Sequence, residues 1–234
     1  MNRRLFLGSI LSAATLARAR AATGKVMIAG LGEWDLLKTA GTQAGVAVVD
    51  SAGVDERLFN TACTGVFGGI FWEPDNFEAL HEFIQKGGRG VLYVSPLHSD
   101  KFNNTFAELF GIRVLYAPQT NGVFTTGIPV LPRDLAGLSI WKGCRLGFGR
   151  KAEGYEGYFA PSPEYRERCT ATQEDTGRSL CIAARRSLGK GVVVFVVTAQ
   201  ALMPSQTHFS DEHIGRLDGE KAAQLMFGWL GGGA

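Results

Sequence analysis

The sequence predicts an α/β fold built around a mostly parallel sheet. Short apolar runs alternate with longer segments in which apolar residues recur at helical spacing, and the first three such segments form a strand, a helix and a strand. The run Val192–Val197 is the richest in apolar β-branched residues, as expected of a central strand buried on both faces. Such an alternation favours parallel strands joined by helices.

The first half of the chain contains most of the predicted parallel strands. These strands are Lys25–Ala29, Val46–Val49, Gly65–Trp72 and Gly90–Val94. A helix is predicted over Trp34–Ala44, between the first two strands. Asp75 followed by Glu78 indicates the start of a second helix, and Gly87-Gly88 indicates its end. A third helix holds Phe106 and Phe110, and Ile112–Tyr116 is extended again.

Residues 117–188 are predicted to form an irregular, strand-rich insertion, because helical periodicity disappears there. Within it, Arg166–Thr172 and Ser179–Ala184 flank a turn-rich stretch and predict a β-hairpin. Asp218 is the predicted cap of a final helix that buries Trp229. Since the sequence contains no repeat and no linker, we expect residues 23–234 to form a single domain.

Residues 1–22 have the composition of an export signal. Arg3-Arg4 precede the apolar stretch Gly8–Ala17, and Ala19-Arg20-Ala21 provides a small-residue cleavage site. The arginine pair, followed by Phe6-Leu7, matches the twin-arginine export route. The alternative is an uncleaved anchor, but a spanning helix needs roughly 20 consecutive apolar residues, and this stretch is shorter. We therefore expect a periplasmic or secreted protein that meets the membrane only transiently, through its signal.

The charge of the chain argues against a nucleic-acid partner. The formal net charge is +2, and residues 1–22 contain four arginines and no acidic residue, so the remainder carries −2. The sequence has no basic stripe and no run of like charge. The expected partner is a small molecule or a periplasmic protein.

Export would place the four cysteines of the chain in a compartment where disulfides persist. Directly paired residues of a hairpin are equidistant from its turn, and Cys169 and Cys181 are equidistant from Asp175. This spacing predicts a disulfide between Cys169 and Cys181. The alternative is that both are small buried thiols. No local pattern decides whether Cys63 and Cys144 are joined.

Several segments together resemble the class I glutamine amidotransferase-like superfamily. They are the strand end at Trp72-Glu73, the helix end Phe83–Gly88, the strand Gly90–Val94, and the late run Gly189–Phe195 that precedes an acidic loop and the last helix. The likeness is greatest to the trehalose-utilisation-type and intraflagellar-transport-type branches. It implies a flavodoxin-like three-layer sandwich, a fold that carries both enzymes and non-catalytic binding domains.

The chain lacks the catalytic residues that this resemblance would call for. Catalytic members carry a cysteine on a tight elbow after a strand, but the comparable strand end reads Val94-Ser95-Pro96, and Pro96 has no N–H for an oxyanion. Cys63 precedes a predicted strand instead of following one. His208 lacks the glutamate that the family's triad has two residues later. The resemblance therefore implies a non-catalytic domain.

Candidate site residues follow from their position near the carboxyl ends of predicted strands, where open α/β sheets bind ligands. The ligand-binding candidates are Glu33, Trp72, Glu73 and Gln200. The alternative function is a periplasmic hydrolase with a histidine and carboxylates at this edge, for which the catalytic candidates are Ser95, His98 and His208. The leading hypothesis is an exported non-catalytic domain that binds a small molecule, such as a carbohydrate, or a protein partner.

No cofactor or metal is expected. Gly30-Leu31-Gly32 after a strand is similar to a dinucleotide fingerprint, but Asp35 occupies the third small position, where a carboxylate would repel a pyrophosphate. The cluster His208, Asp211, Glu212 and His213 contains metal-ligating residue types, but its composition is that of an ordinary solvated loop.

Overall fold

The structure is a computed structural model, and it describes residues 24–29, 35–51, 63–69, 74–93, 100–117, 122–127, 141, 144, 146–148, 156–173, 177, 179–197, 202 and 217–233. The strands are β1 (Lys25–Ala29), β2 (Ala47–Ser51), β3 (Cys63–Gly69), β4 (Arg89–Tyr93), β5 (Ile112–Ala117), β6 (Gly122–Gly127), β7 (Leu146–Phe148), β8 (Glu156–Pro161), β9 (Glu167–Gln173), β10 (Ser179–Leu188) and β11 (Gly191–Val196). The helices are α1 (Asp35–Gln43), α2 (Pro74–Gln85), α3 (Asp100–Phe110) and α4 (Gly219–Leu230). The predicted export signal lies outside the described residues.

Five parallel strands form one half of a nine-stranded sheet, in the order β2-β1-β3-β4-β11. Helices cover both faces of this half. On one face Phe67 of β3 packs against Phe227 of α4, with ring centroids 6.3 Å apart. On the other face Phe195 of β11 packs against Phe106 of α3, at 5.0 Å. The predicted flavodoxin-like α/β sandwich is therefore confirmed.

The central position predicted for the run Val192–Val197 is also confirmed, because β11 is fifth of the nine strands. Phe195 is fully buried, and its ring lies within 6.5 Å of the rings of Phe106, Phe110, Phe159 and Tyr165. Gly191 begins this strand where a side chain has no room, since a Cβ there would lie 2.0 Å from the Ile84 carbonyl oxygen. The continuous burial of β11 matches its continuous apolar sequence.

The other half of the sheet is antiparallel and consists of β10, β9, β6 and β7. β5 and β8 form a separate two-stranded ribbon. The segment predicted as an irregular insertion thus extends the main sheet with regular strands. The predicted hairpin is present as β9 and β10, and Gly177, in the connection between them, has a φ of +67°. This left-handed backbone conformation favours glycine, because glycine lacks a Cβ.

The prediction that Cys169 and Cys181 face each other is wrong by one residue of register. Cys181 is paired with Thr170, and Ser179 with Thr172, so the pairs nearest the turn are already offset by one residue from the predicted register. A bulge in β10 between Cys181 and Ala183 adds one more residue and pairs Cys169 with Ala183. None of Cys169, Cys181, Cys63 and Cys144 forms a disulfide in the structure, so the predicted bridge is not formed.

Candidate functional site

The carboxyl ends of four adjacent parallel strands form one edge of the sheet. Their last residues are Ala29 of β1, Gly69 of β3, Tyr93 of β4 and Val196 of β11. The register pairs Ala29 with Gly68, Gly69 with Tyr93, and Tyr93 with Val196. The chain therefore leaves the sheet at four neighbouring points, which is where ligands bind in open α/β folds.

The candidate residues predicted from the sequence belong to the segments that follow these strand ends. Glu33 follows β1, Trp72 and Glu73 follow β3, Ser95 and His98 follow β4, and Gln200 follows β11. His208 lies between β11 and α4. All seven residues are outside the described residues, as are Asp211, Glu212 and His213 of the histidine and carboxylate cluster. The structure therefore shows the positions of the strand ends that precede these segments.

A topological switch point lies between β1 and β3. From β1 the chain crosses to β2 through α1. Helix α1 lies on the same face of the sheet as α4, and its Gly41 contacts Val48 of β2 and Phe227 of α4. From β3 the chain crosses in the other direction, to β4 through α2, and Ile84 of α2 lies against Gly90 on the opposite face. Reversal of the strand order at one edge marks the position at which open α/β sheets bind ligands.

Tyr93 is a polar side chain at this edge that the sequence analysis did not select. It is the last residue of β4, it is half-buried, and its ring centroid lies 5.9 Å from that of Phe67. Burial raises the pKa of the Tyr93 phenol to about 12. The hydroxyl therefore stays protonated at neutral pH and is able to donate a hydrogen bond.

The start of α1 explains why a dinucleotide is a poor fit. Asp35 is the first residue of this helix, and its carboxylate forms an exposed ion pair with Lys38 at 3.7 Å. An acidic side chain stabilises a helix N-terminus by interacting with its dipole, and its negative charge disfavours a phosphate at the same helix end.

The amino edge of the parallel strands is closed by the chain itself. Arg89, the first residue of β4, donates hydrogen bonds to the carbonyl oxygens of Trp229 and Gly233, and its guanidinium lies 5.4 Å from the centroid of the Trp229 ring. Burial lowers the pKa of Arg89. Cys63 begins β3 at this same edge, so it does not follow a strand as an elbow nucleophile does.

The antiparallel half contains a buried ion pair that the sequence analysis missed. Glu167 of β9 is paired across the strands with Arg185 of β10, whose Nη1 donates to Glu167 Oε1. Glu167 is 3% exposed and the Arg185 side chain 14%. Burial and the neighbouring Arg89 lower the pKa of Arg185. Among the residues that the structure describes, Glu167 Oε2 and Arg185 Nε have no hydrogen-bond partner.

The two thiols of the hairpin are chemically unreactive groups. Burial, and secondarily the adjacent Cys181, raises the pKa of Cys169 to about 12. Burial raises the pKa of Cys181 to about 11, against the opposing effect of Arg168. Since the thiolate is the nucleophile, neither cysteine is suited to nucleophilic catalysis at neutral pH.

The side chains and helices of the described residues bear on two further classes of site. No three histidine, cysteine or acidic side chains among these residues are grouped in a way that could hold a metal ion. Among the same residues, no helix has the length and apolar character of a membrane-spanning segment.

No protein-family model matches the chain, and no curated protein matches it in sequence. Solved structures do match its fold. A ThuA-like protein from Parabacteroides merdae is 12% identical, with a TM-score of 0.51 and 90% of each chain covered. At this identity the match shows a shared fold alone, which is the α/β sandwich expected from the sequence.

Two carbohydrate-active enzymes contain the same fold as one part of a longer chain. The exo-β-1,4-mannosidase Op5Man5 from Opitutaceae bacterium strain TAV5 has a TM-score of 0.53 and 13% identity, over 89% of this chain and 36% of the enzyme. The carbohydrate deacetylase Agd3 has a TM-score of 0.55 and 12% identity, over 88% of this chain and 32% of the enzyme. The chain thus spans about a third of the length of these enzymes, and the low identities show a shared fold alone.

Proposed function

We propose that this protein is an exported, non-catalytic amidotransferase-like domain that binds a small hydroxylated molecule, a carbohydrate, at the carboxyl edge of its parallel strands. The observation that carries the proposal is the row of four adjacent strand ends beside the switch point between β1 and β3. The occurrence of this fold within a mannosidase and a carbohydrate deacetylase supports the choice of ligand class.

The residues that follow β4 support the absence of amidotransferase chemistry. This strand ends at Tyr93, and the next residues are Val94, Ser95 and Pro96. The position of an elbow nucleophile thus holds no cysteine, and Pro96 supplies no backbone donor beside it. A domain with this strand end is better suited to hold a ligand than to transfer an acyl group.

Export by the twin-arginine route is part of the proposal, and it rests on the sequence of residues 1–22. Replacement of Arg3 and Arg4 by lysine keeps the positive charge but removes the arginine pair that this route recognises. We expect the unchanged protein in the periplasmic or secreted fraction, shortened by about 22 residues in its N-terminal sequence, and the double variant in the cytoplasm. Export of the double variant in equal amount would contradict this route.

Ligand binding is tested with the exported protein and methyl β-D-mannopyranoside, by saturation-transfer NMR and calorimetry. The proposal expects saturable binding and no chemical change in the sugar. The proposal would be overturned if neither method detected binding of this sugar, of the corresponding galactoside or of the corresponding N-acetylglucosaminide to the protein. Release of p-nitrophenol from p-nitrophenyl acetate or p-nitrophenyl mannoside, lost on substitution of Ser95, His98 or His208, would favour the hydrolase instead.

A further inference from the structure

We infer that the buried ion pair of Glu167 and Arg185 sets the register of the β9–β10 hairpin, by selecting one pairing among those that bury the same side chains. This conformational device belongs to the antiparallel half of the sheet and does not depend on the proposed ligand site.

Burial fixes which face each side chain of β9 occupies. Tyr165, Glu167 and Cys169 are buried, whereas Arg166 and Arg168 are exposed. A slip of one residue against β10 would move all of these side chains to the other face and bury the two arginines. A slip of two residues leaves every side chain on its present face, because the side-chain period of a strand is two. Burial therefore disfavours one-residue slips but does not distinguish registers that differ by two.

Apolar packing and the turn add little to this discrimination. The apolar side chains of β9 are those of Cys169 and Ala171, which are both small. A strand with so few apolar residues has a weakly specified register. The hairpin already combines two offsets, since Cys181 is paired with Thr170 next to the turn and Ala183 with Cys169 beyond the bulge. The turn therefore does not impose a single register on the whole hairpin.

The ion pair does distinguish registers that differ by two residues. In the observed register Glu167 lies opposite Arg185, and Arg185 Nη1 donates to Glu167 Oε1. A two-residue slip would place Glu167 opposite Ala183 in one direction and opposite Ser187 in the other. Either slip would separate the two charges, and an uncompensated buried charge is strongly unfavourable. The pair is therefore satisfied in the observed register and in neither neighbouring one.

The geometry of the pair fits a role in specificity better than a role in stability. Among the residues that the structure describes, Glu167 Oε2 and Arg185 Nε are buried without a hydrogen-bond partner. A buried ion pair offsets its loss of hydration only when its remaining polar atoms are also bonded. Selection of a register is the best-attested role of buried polar groups that add little net stability.

The test compares the unchanged protein with the double variant Glu167→Leu/Arg185→Met by NMR, under reducing conditions. This variant leaves no unpaired charge, so we expect it to fold. Cross-strand NOEs between backbone protons report the register, because residue 169 lies opposite residue 183 in the observed pairing and opposite residue 181 or 185 after a two-residue slip. The unchanged protein should show the first contact alone. The double variant should show a second set of cross-peaks from a slipped hairpin, at about 10% of the population or more.

A variant with the charges exchanged, Glu167→Arg/Arg185→Glu, is the matched control. It retains opposite charges at the same two positions and should restore a single register, with the contact between residues 169 and 183. This contact alone in the Leu/Met variant would overturn the inference, as would slipped cross-peaks of equal intensity in the exchanged variant. Loss of cooperative thermal unfolding in the Leu/Met variant would also overturn it, because the pair would then be required for stability.

Discussion

The parallel and antiparallel halves of the sheet are stabilised in different ways. In the parallel half, strands such as β1 are buried along nearly their whole length by apolar side chains, with helices on both faces. In the antiparallel half, the interior includes the Glu167–Arg185 ion pair and the thiols of Cys169 and Cys181. Apolar burial is non-directional, whereas a buried ion pair depends on both partners. The two halves should therefore respond differently to substitution and to pH.

The largest effect is expected from Glu167→Leu. This change removes the carboxylate and leaves the Arg185 guanidinium buried without its ion-pair partner, which costs about 4 kcal/mol of unfolding free energy. Urea denaturation measures this loss. The double variant Glu167→Leu/Arg185→Met removes both charges and should lie within about 1 kcal/mol of the unchanged protein.

The exposed pair of Glu82 and Lys86 provides the control for this comparison. Their side chains are 64% and 70% exposed, and their atoms lie 2.6 Å apart. Glu82→Gln should produce no measurable change in the urea midpoint, because solvent screens such a pair. Similar effects of Glu82→Gln and Glu167→Leu on the urea midpoint would refute the view that burial makes the Glu167–Arg185 pair more important for stability.

A somewhat smaller effect is expected from Ile28→Ala in the parallel half. Ile28 is fully buried in β1, and its truncation removes apolar contacts and leaves a cavity, at a cost of about 3 kcal/mol. Since no charge is involved, the loss should be equal at pH 6 and pH 9 in urea denaturation. A loss that varied strongly over this range would show that the parallel half also depends on a titrating group.

Tyr165→Phe should destabilise the protein less than either core change. The Tyr165 hydroxyl donates to the Phe110 carbonyl oxygen at 2.6 Å in a buried environment, where an unpaired acceptor is costly. Arg186 also donates to this oxygen, at 3.1 Å, so the acceptor keeps one partner. We therefore expect a loss of about 1 kcal/mol in thermal or urea unfolding. A loss as large as that of Ile28→Ala would mean that Arg186 does not compensate.

The smallest expected effect is on the pH dependence of stability above pH 9. Burial raises the pKa of Cys169 to about 12 and that of Cys181 to about 11, from an ordinary value of 9.0. Above pH 9 the unfolded state loses these protons before the folded state does, so stability falls as pH rises toward the folded-state pKa values. Under reducing conditions, Cys169→Ala should make the urea midpoint less dependent on pH between 9 and 10.5. An unchanged pH dependence in Cys169→Ala would contradict a contribution from this buried thiol.

The parallel half was predictable because its signals are local. The bounds of β1 agree with the predicted strand, and β11 occupies the centre of the sheet, since continuous apolar runs of this length have few other places in a fold. The antiparallel half was predictable only in part. The hairpin of β9 and β10 was identified, but residue spacing alone does not reveal the one-residue offset of the pairs next to the turn or the bulge in β10.

The candidate site was predictable to the level of strand ends. The sequence indicates which residues follow each strand, and the strand order places those ends side by side. Tyr93 was overlooked because it lies within an apolar run and reads as a core residue. Glu167 and Arg185 were overlooked because a charged residue in a polar, turn-rich region is usually solvated. Their opposite charges on facing strands of a predicted hairpin were the signal available.

The most direct test is an amide NMR titration of the protein with methyl β-D-mannopyranoside, with shifts mapped on the sheet. We expect saturable shifts concentrated at the carboxyl edge, at Ala29, Gly69, Tyr93 and Val197, with little change at Lys25, Arg89 and Gly191 on the amino edge. Shifts concentrated on the amino edge, or no shifts at saturating sugar, would contradict a ligand site at the ends of the parallel strands.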